Sequence, residues 1–165
     1  KFSPKKLNLS SPKETGKTFL SNAKLKAKYF SRFTKLPVIS DDSGLCIKGL
    51  KNMPGIYSAR WAQKHGSFIR CMKFILKKMK TKKNRSATLV CSLSLKLSNG
   101  KIIGVTGKIK GKISHQIKGK NGFGYDPIFI PYGYSSTFGQ MKKSKKIKID
   151  HRFIAFKKLS KKIKI

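Results

Sequence analysis

The stretch "SATLVCSLSLKLSNGKIIGVTGKIKG", residues 86–111, decides the fold. Apolar and polar residues alternate with period two on both sides of Asn99-Gly100, as they do in half-buried strands. Asn-Gly is typical of a type I′ hairpin turn, in which both central residues need positive φ. The stretch therefore predicts a β-hairpin.

Amphipathic helices are predicted on both sides of this hairpin. In residues 16–33, four apolar residues share one helical face: Phe19, Ala23, Ala27 and Phe30. A second helix is indicated by Phe68, Met72, Ile75, Leu76 and Met79. A third is predicted over residues 150–163, with Asp150 as its N-cap.

Two short strands are predicted between the first two helices. They are "LPVIS" (36–40) and "LCIKGL" (45–50), and a turn follows at residues 52–55. The acidic pair Asp41-Asp42 comes at the end of the first strand. Strands combined with three helices predict an α/β fold with a mixed central β-sheet flanked by helices.

The length and charge of the chain limit its organisation and its partners. A chain of 165 residues suits one ordinary domain, and we expect a single domain over 1–165. It has 40 Lys and Arg against 5 Asp and Glu, a net charge of +35. This excess fits a host with a mutational bias toward lysine, or a nucleic-acid footprint, and charge alone does not decide between them.

The cysteines indicate a reducing compartment, and the hydropathy gives no sign of a membrane-spanning segment. Cys46, Cys71 and Cys91 form no C-x-x-C motif and lie among apolar neighbours, which is typical of buried free thiols. No apolar run approaches the ~20 residues that span a bilayer. We therefore expect a cytoplasmic protein without a membrane partner.

The few carboxylates are the first functional signal. In a chain with only five acids, we expect those present to lie at positions where lysine cannot substitute. A divalent cation on a triphosphate is held by one or two carboxylates, water and phosphate oxygens, and Glu14 and Asp42, with Asp41 near, supply such a set. The alternative is that Asp-Asp-Ser-Gly merely forms a turn at a strand end.

A window without basic residues is the second signal. Residues 121–140, "NGFGYDPIFIPYGYSSTFGQ", contain six Phe and Tyr and a single acid, Asp126. The window is either plain core or a wall on which a base stacks, with Asp126 accepting hydrogen bonds from the base edge. His151-Arg152 at a helix start offers further donors, unless it only caps the helix and meets solvent.

Taken together, these segments resemble the inosine triphosphate pyrophosphatase family. The resemblance covers essentially the whole chain and rests on five segments in family order: "ETGKTFLSNAKLKAK" (14–28), "LPVISDDSGL" (36–45), "MPGIYSARWA" (53–62), "NGFGYDPIFIP" (121–131) and "DHRFIAFKKL" (150–159). It implies Mg²⁺-dependent hydrolysis of ITP, dITP or XTP between the α- and β-phosphates. It also implies a homodimer.

The same resemblance assigns roles to individual residues. Asp42 would be the proton acceptor and a Mg²⁺ ligand, and Glu14 the second metal ligand. The substrate would be bound by Lys26, Ser43, Phe123, Gly124, Tyr125, Asp126, Lys146, His151 and Arg152. A keto oxygen at the purine 6-position accepts from Arg152 or His151, whereas the amino group of adenine would face donor against donor.

The chain also departs from the family pattern. Relatives begin with a strand and a phosphate-binding loop of the type T/S-x-N-x-x-K, about 40 residues upstream of the acidic segment. Only 13 residues precede Glu14 here, so we expect the domain to be N-terminally incomplete. Asp150 replaces a serine, Gln140 replaces a glutamate, and Lys13 stands beside Glu14 where relatives tend to be acidic.

Two other functions remain as alternatives. A basic nucleic-acid-binding module, or an inactive relative of the fold, would bind any polynucleotide with a steep salt dependence; the clustered acids and the lysine-free window disfavour nucleic acid as a specific partner. A Maf-like pyrophosphatase of related fold fits less well, because the "FGYDPIF" and His-Arg segments are typical of the purine enzymes.

Overall fold

The computed structural model describes residues 8–163, which form a central sheet with helices on both faces. The helices are α1 (Phe19–Phe30), α2 (Ser58–Lys64), α3 (Phe68–Lys78), α4 (Lys143–Lys146) and α5 (His151–Ile163). The strands are β1 (Val38–Ile47), β2 (Ser86–Lys96), β3 (Ile102–Ile113) and β4 (Phe129–Pro131). No helix within residues 8–163 has the length and apolar character needed to cross a bilayer.

The four strands lie in the order β1-β2-β3-β4. The predicted sheet flanked by helices is confirmed. The expected mixed pairing gives way, in the described residues, to antiparallel pairing throughout. Antiparallel neighbours need no crossover: a hairpin joins β2 to β3, and the chain re-enters the sheet beside β1 after α2 and α3.

The hairpin forms where the alternation predicts it, but its turn differs from the prediction. Gly100 has φ +87°, while Asn99 is not among the residues with positive φ. The Gly100 N–H donates to the Leu97 carbonyl at 3.1 Å, and the Leu97 N–H donates to the Lys101 carbonyl at 2.9 Å. This is the three-residue loop in which a turn is followed by a left-handed glycine, so only Gly100 needs positive φ.

The segment around the acidic pair corrects a second prediction. Residues 38–47 form one continuous strand and not two strands joined by a turn. Asp41 lies opposite Leu93 and Asp42 opposite Ser92 in β2. Ladder pairing along the whole segment outweighs the local turn preference of Asp-Asp-Ser-Gly.

The two faces of the sheet carry different helices. On one face α1 packs closely: Ala23 and Ala27 are fully buried, and a side chain at Gly104 would collide with Leu20. On the other face, Leu45 and Leu89 join α3 and the loop after β3 in the main core, and Gly107 lets α5 approach. Since successive side chains of a strand point to opposite faces, neighbours in β1 meet different helices.

Candidate active site

Asp41 and Asp42 are adjacent in β1 but belong to two clusters on opposite faces of the sheet. Asp42 contacts Asn22 and Lys26 of α1, whereas Asp41 contacts Arg152 of α5. The expectation that Asp41 lies near the Glu14–Asp42 site is therefore wrong for its side chain, because the pleat of the strand turns it away.

The α1 cluster, defined here as Glu14, Asn22, Lys26, Asp42 and Arg60, is built around one ammonium group. Lys26 Nζ lies 2.7 Å from Glu14 Oε1 and 3.3 Å from Asp42 Oδ1. The structure thus brings together the three residues that the sequence assigned to this end of the site. Lys26 and Asn22 are four residues apart on α1 and share a face.

Two residues of the α1 cluster were missed by the sequence analysis. Asn22 is fully buried; its Nδ2 donates to Asp42 Oδ2 at 3.3 Å and its Oδ1 accepts from the Gly16 N–H at 2.8 Å. Arg60 Nη2 donates to Glu14 at both the main-chain oxygen, 3.2 Å, and Oε2, 3.3 Å. A buried amide one turn before Lys26 was a usable signal; Arg60 gave none, since it comes from α2.

The pKa values within the α1 cluster reflect burial and mutual attraction. Burial raises the pKa of Asp42, and Lys26 only partly opposes this rise. Burial also acts to raise the pKa of Glu14, but Lys26 and Arg60 outweigh it and leave that pKa below its ordinary value. Burial acts to lower the pKa of Lys26, but its two carboxylate partners outweigh this effect, and the net result is a pKa above the ordinary value.

The donor set of the α1 cluster fits a hard divalent cation. Two carboxylates converge on a single point that a positive group already occupies, and carboxylate oxygen is the ligand that Mg²⁺ prefers. Within the described residues there is no group of three or more His, Cys, Asp and Glu that would form an all-protein metal cage. The site therefore suits an ion that takes its remaining ligands from water and phosphate.

The α5 cluster, defined here as Asp41, Ser43, Phe123, His151 and Arg152, lies across the sheet. Asp41 Oδ2 accepts hydrogen bonds from Ser43 Oγ at 3.0 Å and from Arg152 Nη2 at 3.1 Å. The Arg152 guanidinium carbon is 4.4 Å from the centroid of the Phe123 ring, within cation–π range. The strand thus orients the arginine, and the arginine contacts the aromatic window.

An open cleft of about 830 Å³ borders the α5 cluster. Its walls include Phe123, Lys146, Asp150, Arg152, Phe153 and Phe156. Phe123 is 47% exposed, and Lys146 Nζ lies 4.3 Å from its ring centroid. The cleft combines aromatic surface with cationic donors, the combination that planar, electronegative ligands require.

Tyr125 and Asp126 point into the protein and not into the cleft. The Tyr125 hydroxyl donates to the Ser58 carbonyl at 2.8 Å, and burial raises its pKa. Asp126 accepts from the Phe123 N–H at 2.8 Å and pairs with Lys146 Nζ at 3.0 Å; a side chain at Gly122 would collide with its carboxylate. These residues hold the loop that presents Phe123, together with Gly124, whose φ is +61°.

His151 begins α5 and is almost fully buried. Its Nδ1 atom is buried without a hydrogen-bond partner within the described chain. Burial lowers the pKa of His151 to about 4, so the imidazole is neutral at pH 7. Asp150 caps the helix as predicted, accepting from the Phe153 N–H at 2.8 Å.

Sequence comparison with known proteins places this chain among relatives of a single family. Residues 2–162 match the Ham1 family. A dITP/XTP pyrophosphatase of Caulobacter vibrioides is 39% identical over 155 residues, which covers 93% of this chain and 80% of the relative. One from Dictyoglomus thermophilum is 42% identical over 151 residues, covering 90% and 73%.

Solved structures agree with the sequence comparison. The Ham1 protein of Staphylococcus aureus superposes with a TM-score of 0.90 at 34% identity, covering 98% of this chain and 84% of that one. The Ham1 protein of Coxiella burnetii gives a TM-score of 0.89 at 33% identity, covering 97% and 83%. The predicted family is thereby confirmed: this chain belongs to the Ham1 family.

Proposed function

We propose that this chain is a hydrolase that converts non-standard purine nucleoside triphosphates, such as ITP, dITP and XTP, to the monophosphate and pyrophosphate. The observation that carries the proposal is the division of two adjacent carboxylates. Asp42 joins a cation-binding cluster on one face of the sheet, and Asp41 orients an arginine beside an aromatic cleft on the other. Relatives described as dITP/XTP pyrophosphatases support the same substrate class.

The α1 cluster is proposed to receive the triphosphate together with Mg²⁺. Glu14 and Asp42 would hold the ion at the point where their oxygens now meet Lys26 Nζ. A bound Mg²⁺ neutralises phosphate charge and polarises the phosphoryl oxygens. Lys26, released from the carboxylates, would then contact the phosphate chain, as expected for a positive group in phosphoryl transfer.

Asp42 is proposed to accept the proton of the attacking water. In this step the water oxygen bonds to the α-phosphorus, its proton passes to Asp42, and the bond to the bridging oxygen breaks so that pyrophosphate leaves. Burial raises the pKa of Asp42 above its ordinary value, which strengthens its carboxylate as a proton acceptor. Asn22 holds the second carboxylate oxygen in place.

The α5 cluster is proposed to select the base. The purine would stack against the exposed ring of Phe123, and its 6-keto oxygen would accept a hydrogen bond from Arg152 or neutral His151. Asp41 and Ser43 hold the guanidinium donor in advance. An adenine amino group at the same point would leave the protein donors without an acceptor. Unpaired buried donors are costly, so the site would discriminate strongly against adenine nucleotides.

We also propose a cytoplasmic homodimer. The three cysteines of the chain are free, as expected in a reducing compartment. Large apolar side chains remain exposed, among them Leu36 at 57% and Ile39 at 53%, and such surface is often covered by a second subunit. Light scattering coupled to size-exclusion chromatography would give twice the 18.6 kDa chain mass, or the chain mass alone if the proposal fails.

The direct test is product analysis with the full chain. The chain is incubated with Mg²⁺ and dITP, XTP, dATP or dGTP in ¹⁸O-labelled water. The products are separated by anion exchange, and their masses are measured by mass spectrometry. We expect dIMP or XMP carrying the label, unlabelled pyrophosphate, slower reaction with dATP, and loss of turnover with EDTA. Orthophosphate plus a diphosphate, or equal rates for dITP and dATP, would refute the proposal.

A further inference from the structure

One face of the sheet at β3 carries a row of exposed lysines that the proposed active site does not use. Lys108, Lys110 and Lys112 are exposed, whereas Gly111 and Ile113 between and after them are buried. Alternate residues of a strand lie about 6.6–6.8 Å apart on the same face. The strand therefore displays three ammonium groups in line, on the face that α1 covers only near Gly104.

An exposed aromatic ring accompanies this row. The Tyr132 N–H donates to the Lys110 carbonyl at 3.1 Å, which sets Tyr132 opposite Lys110. Its hydroxyl reaches Ser86 Oγ at 3.4 Å, and Ser86 is the strand partner of Lys112. Tyr132 is 56% exposed, so a ring face remains accessible beside the lysines.

Basic groups extend the row in both directions. Exposed Lys48 directly follows β1, whose last residue Ile47 pairs with Ala87 of β2, and Ala87 is the strand partner of Gly111 between Lys110 and Lys112. On the other side, a cavity of about 200 Å³ is lined by Lys112 itself and by Lys118. The result is a positive track longer than the three lysines.

No carboxylate in the described chain balances this track. The ion pairs of residues 8–163 use all five acidic residues, and their basic partners are Lys26, Arg60, Lys146 and Arg152 alone. Every one of these pairs lies in or beside the proposed active site. The track is thus a surface of one sign with an aromatic ring at its side.

We propose that the β3 ladder, defined as Lys108, Lys110, Lys112 and Tyr132, binds single-stranded nucleic acid without regard to base sequence. The ammonium groups would neutralise successive phosphates, and Tyr132 would stack on an unpaired base. Phosphate neutralisation gives affinity that falls with salt, and base–aromatic stacking is tolerant of sequence because every base has a π-face. The binding does not depend on the proposed hydrolysis.

The test is fluorescence anisotropy with a labelled twenty-residue oligothymidylate over a series of salt concentrations. Substituting Lys108, Lys110 and Lys112 by Gln together should reduce the slope of log affinity against log salt by about 2, from ~0.7 per phosphate contact. The matched control replaces three exposed lysines in and after α3, Lys73, Lys77 and Lys80, and should keep the slope within about 0.5 of wild type. Equal losses in the two variants would mean that net charge alone binds the strand.

Tyr132→Leu separates stacking from charge. It should weaken binding roughly 5- to 150-fold with the salt slope unchanged, and it should abolish the preference for the single strand over a duplex of equal length. An unchanged affinity would overturn the proposal. So would stronger, ladder-dependent binding to phosphatidylglycerol vesicles, since that result would assign the surface to membranes. Unchanged dITP turnover, or an unchanged thermal unfolding midpoint, shows that the variants fold.

Discussion

Two lysines of this chain each bridge a pair of carboxylates, yet the two sites differ in burial and in what surrounds them. Lys26 lies between Glu14 and Asp42, with side-chain exposures of 16%, 24% and 9%. Lys146 lies between Asp126 and Asp150, with exposures of 6%, 2% and 8%. Each lysine with its two carboxylates carries the same charges, but Arg60 also pairs with Glu14 at the first site.

The surroundings give the two lysines different roles. Asp126 and Asp150 also accept main-chain N–H groups from Phe123 and Phe153, so the second site is fixed to the backbone. Glu14 is more exposed than either acid of the second site, and the ammonium between Glu14 and Asp42 stands at the point proposed for the divalent cation. A buried, fully bonded pair holds structure, whereas a partly exposed one remains exchangeable.

The largest expected effect is on stability and comes from the buried lysine. Lys146→Met keeps the apolar stem but leaves Asp126 without its countercharge, and breaking a buried pair in this way costs about 3–5 kcal/mol. Urea unfolding measures the loss. Adding Asp126→Asn to the same chain should restore part of it, while a loss below about 1 kcal/mol would remove the contrast between the two lysines.

The second effect is acid lability at the start of α5. Burial lowers the pKa of His151 in the folded chain to about 4, below the ordinary histidine value of about 6.5, so between these pH values the unfolded chain binds a proton that the native chain does not. Stability from this group is complete above pH 6.5 and is lost as pH falls toward 4, by up to about 3 kcal/mol. His151→Gln should flatten unfolding free energy between pH 6.5 and 4; parallel curves for the two chains would contradict the assignment.

The third effect is on base selectivity. Arg152→Gln removes the cation that Asp41 orients and should lower the ratio of kcat/KM for dITP over dATP by roughly 10- to 100-fold. Arg152→Lys is the matched control, because it keeps the charge but loses the planar donor pair. Its ratio of kcat/KM for dITP over dATP should lie between those of the wild type and of Arg152→Gln. A selectivity ratio that survives both substitutions would move base recognition away from the α5 cluster.

The smallest effect on stability is expected at Lys26. Lys26→Met should cost about 1 kcal/mol, because Lys26 and Glu14 are partly solvated and the two acids keep Arg60 and Asn22 as partners. It should nevertheless lower dITP turnover on the order of 100-fold through the loss of a phosphate contact. Turnover and urea unfolding are measured on the same preparation. A stability loss as large as that of Lys146→Met would show that both lysines stabilise the fold to the same extent.

Much of the fold could be predicted from periodicity. Three helices and the hairpin have long, regular patterns, whereas α2 and α4, with seven and four residues, are too short to show one. The strand through Asp41 and Asp42 was predicted as two because its residues favour turns locally, and only its pairing with β2 makes it continuous. The position of the turn was predicted from Asn99-Gly100, but its type was not, because this dipeptide occurs in more than one kind of hairpin loop.

The site was predicted in composition more than in orientation. Glu14, Lys26 and Asp42 come together as the resemblance implied, since all three are placed by α1, β1 and the segment before α1. Tyr125 and Asp126 have the residue types of a base-binding wall but point inward, because composition does not reveal which side chains of a loop face the cleft. The contacts of Arg60 depend on tertiary packing and leave no local signature.

The most direct test of the account compares Asp42→Asn with Asp41→Asn in Mg²⁺-supported dITP and dATP hydrolysis. We predict that Asp42→Asn lowers kcat by about 100-fold or more for both nucleotides, as for loss of a general base. Asp41→Asn should keep kcat within a few-fold of wild type and reduce the preference for dITP. Equal losses in both variants, or full turnover in Asp42→Asn, would contradict the division of the two carboxylates between the two ends of the nucleotide.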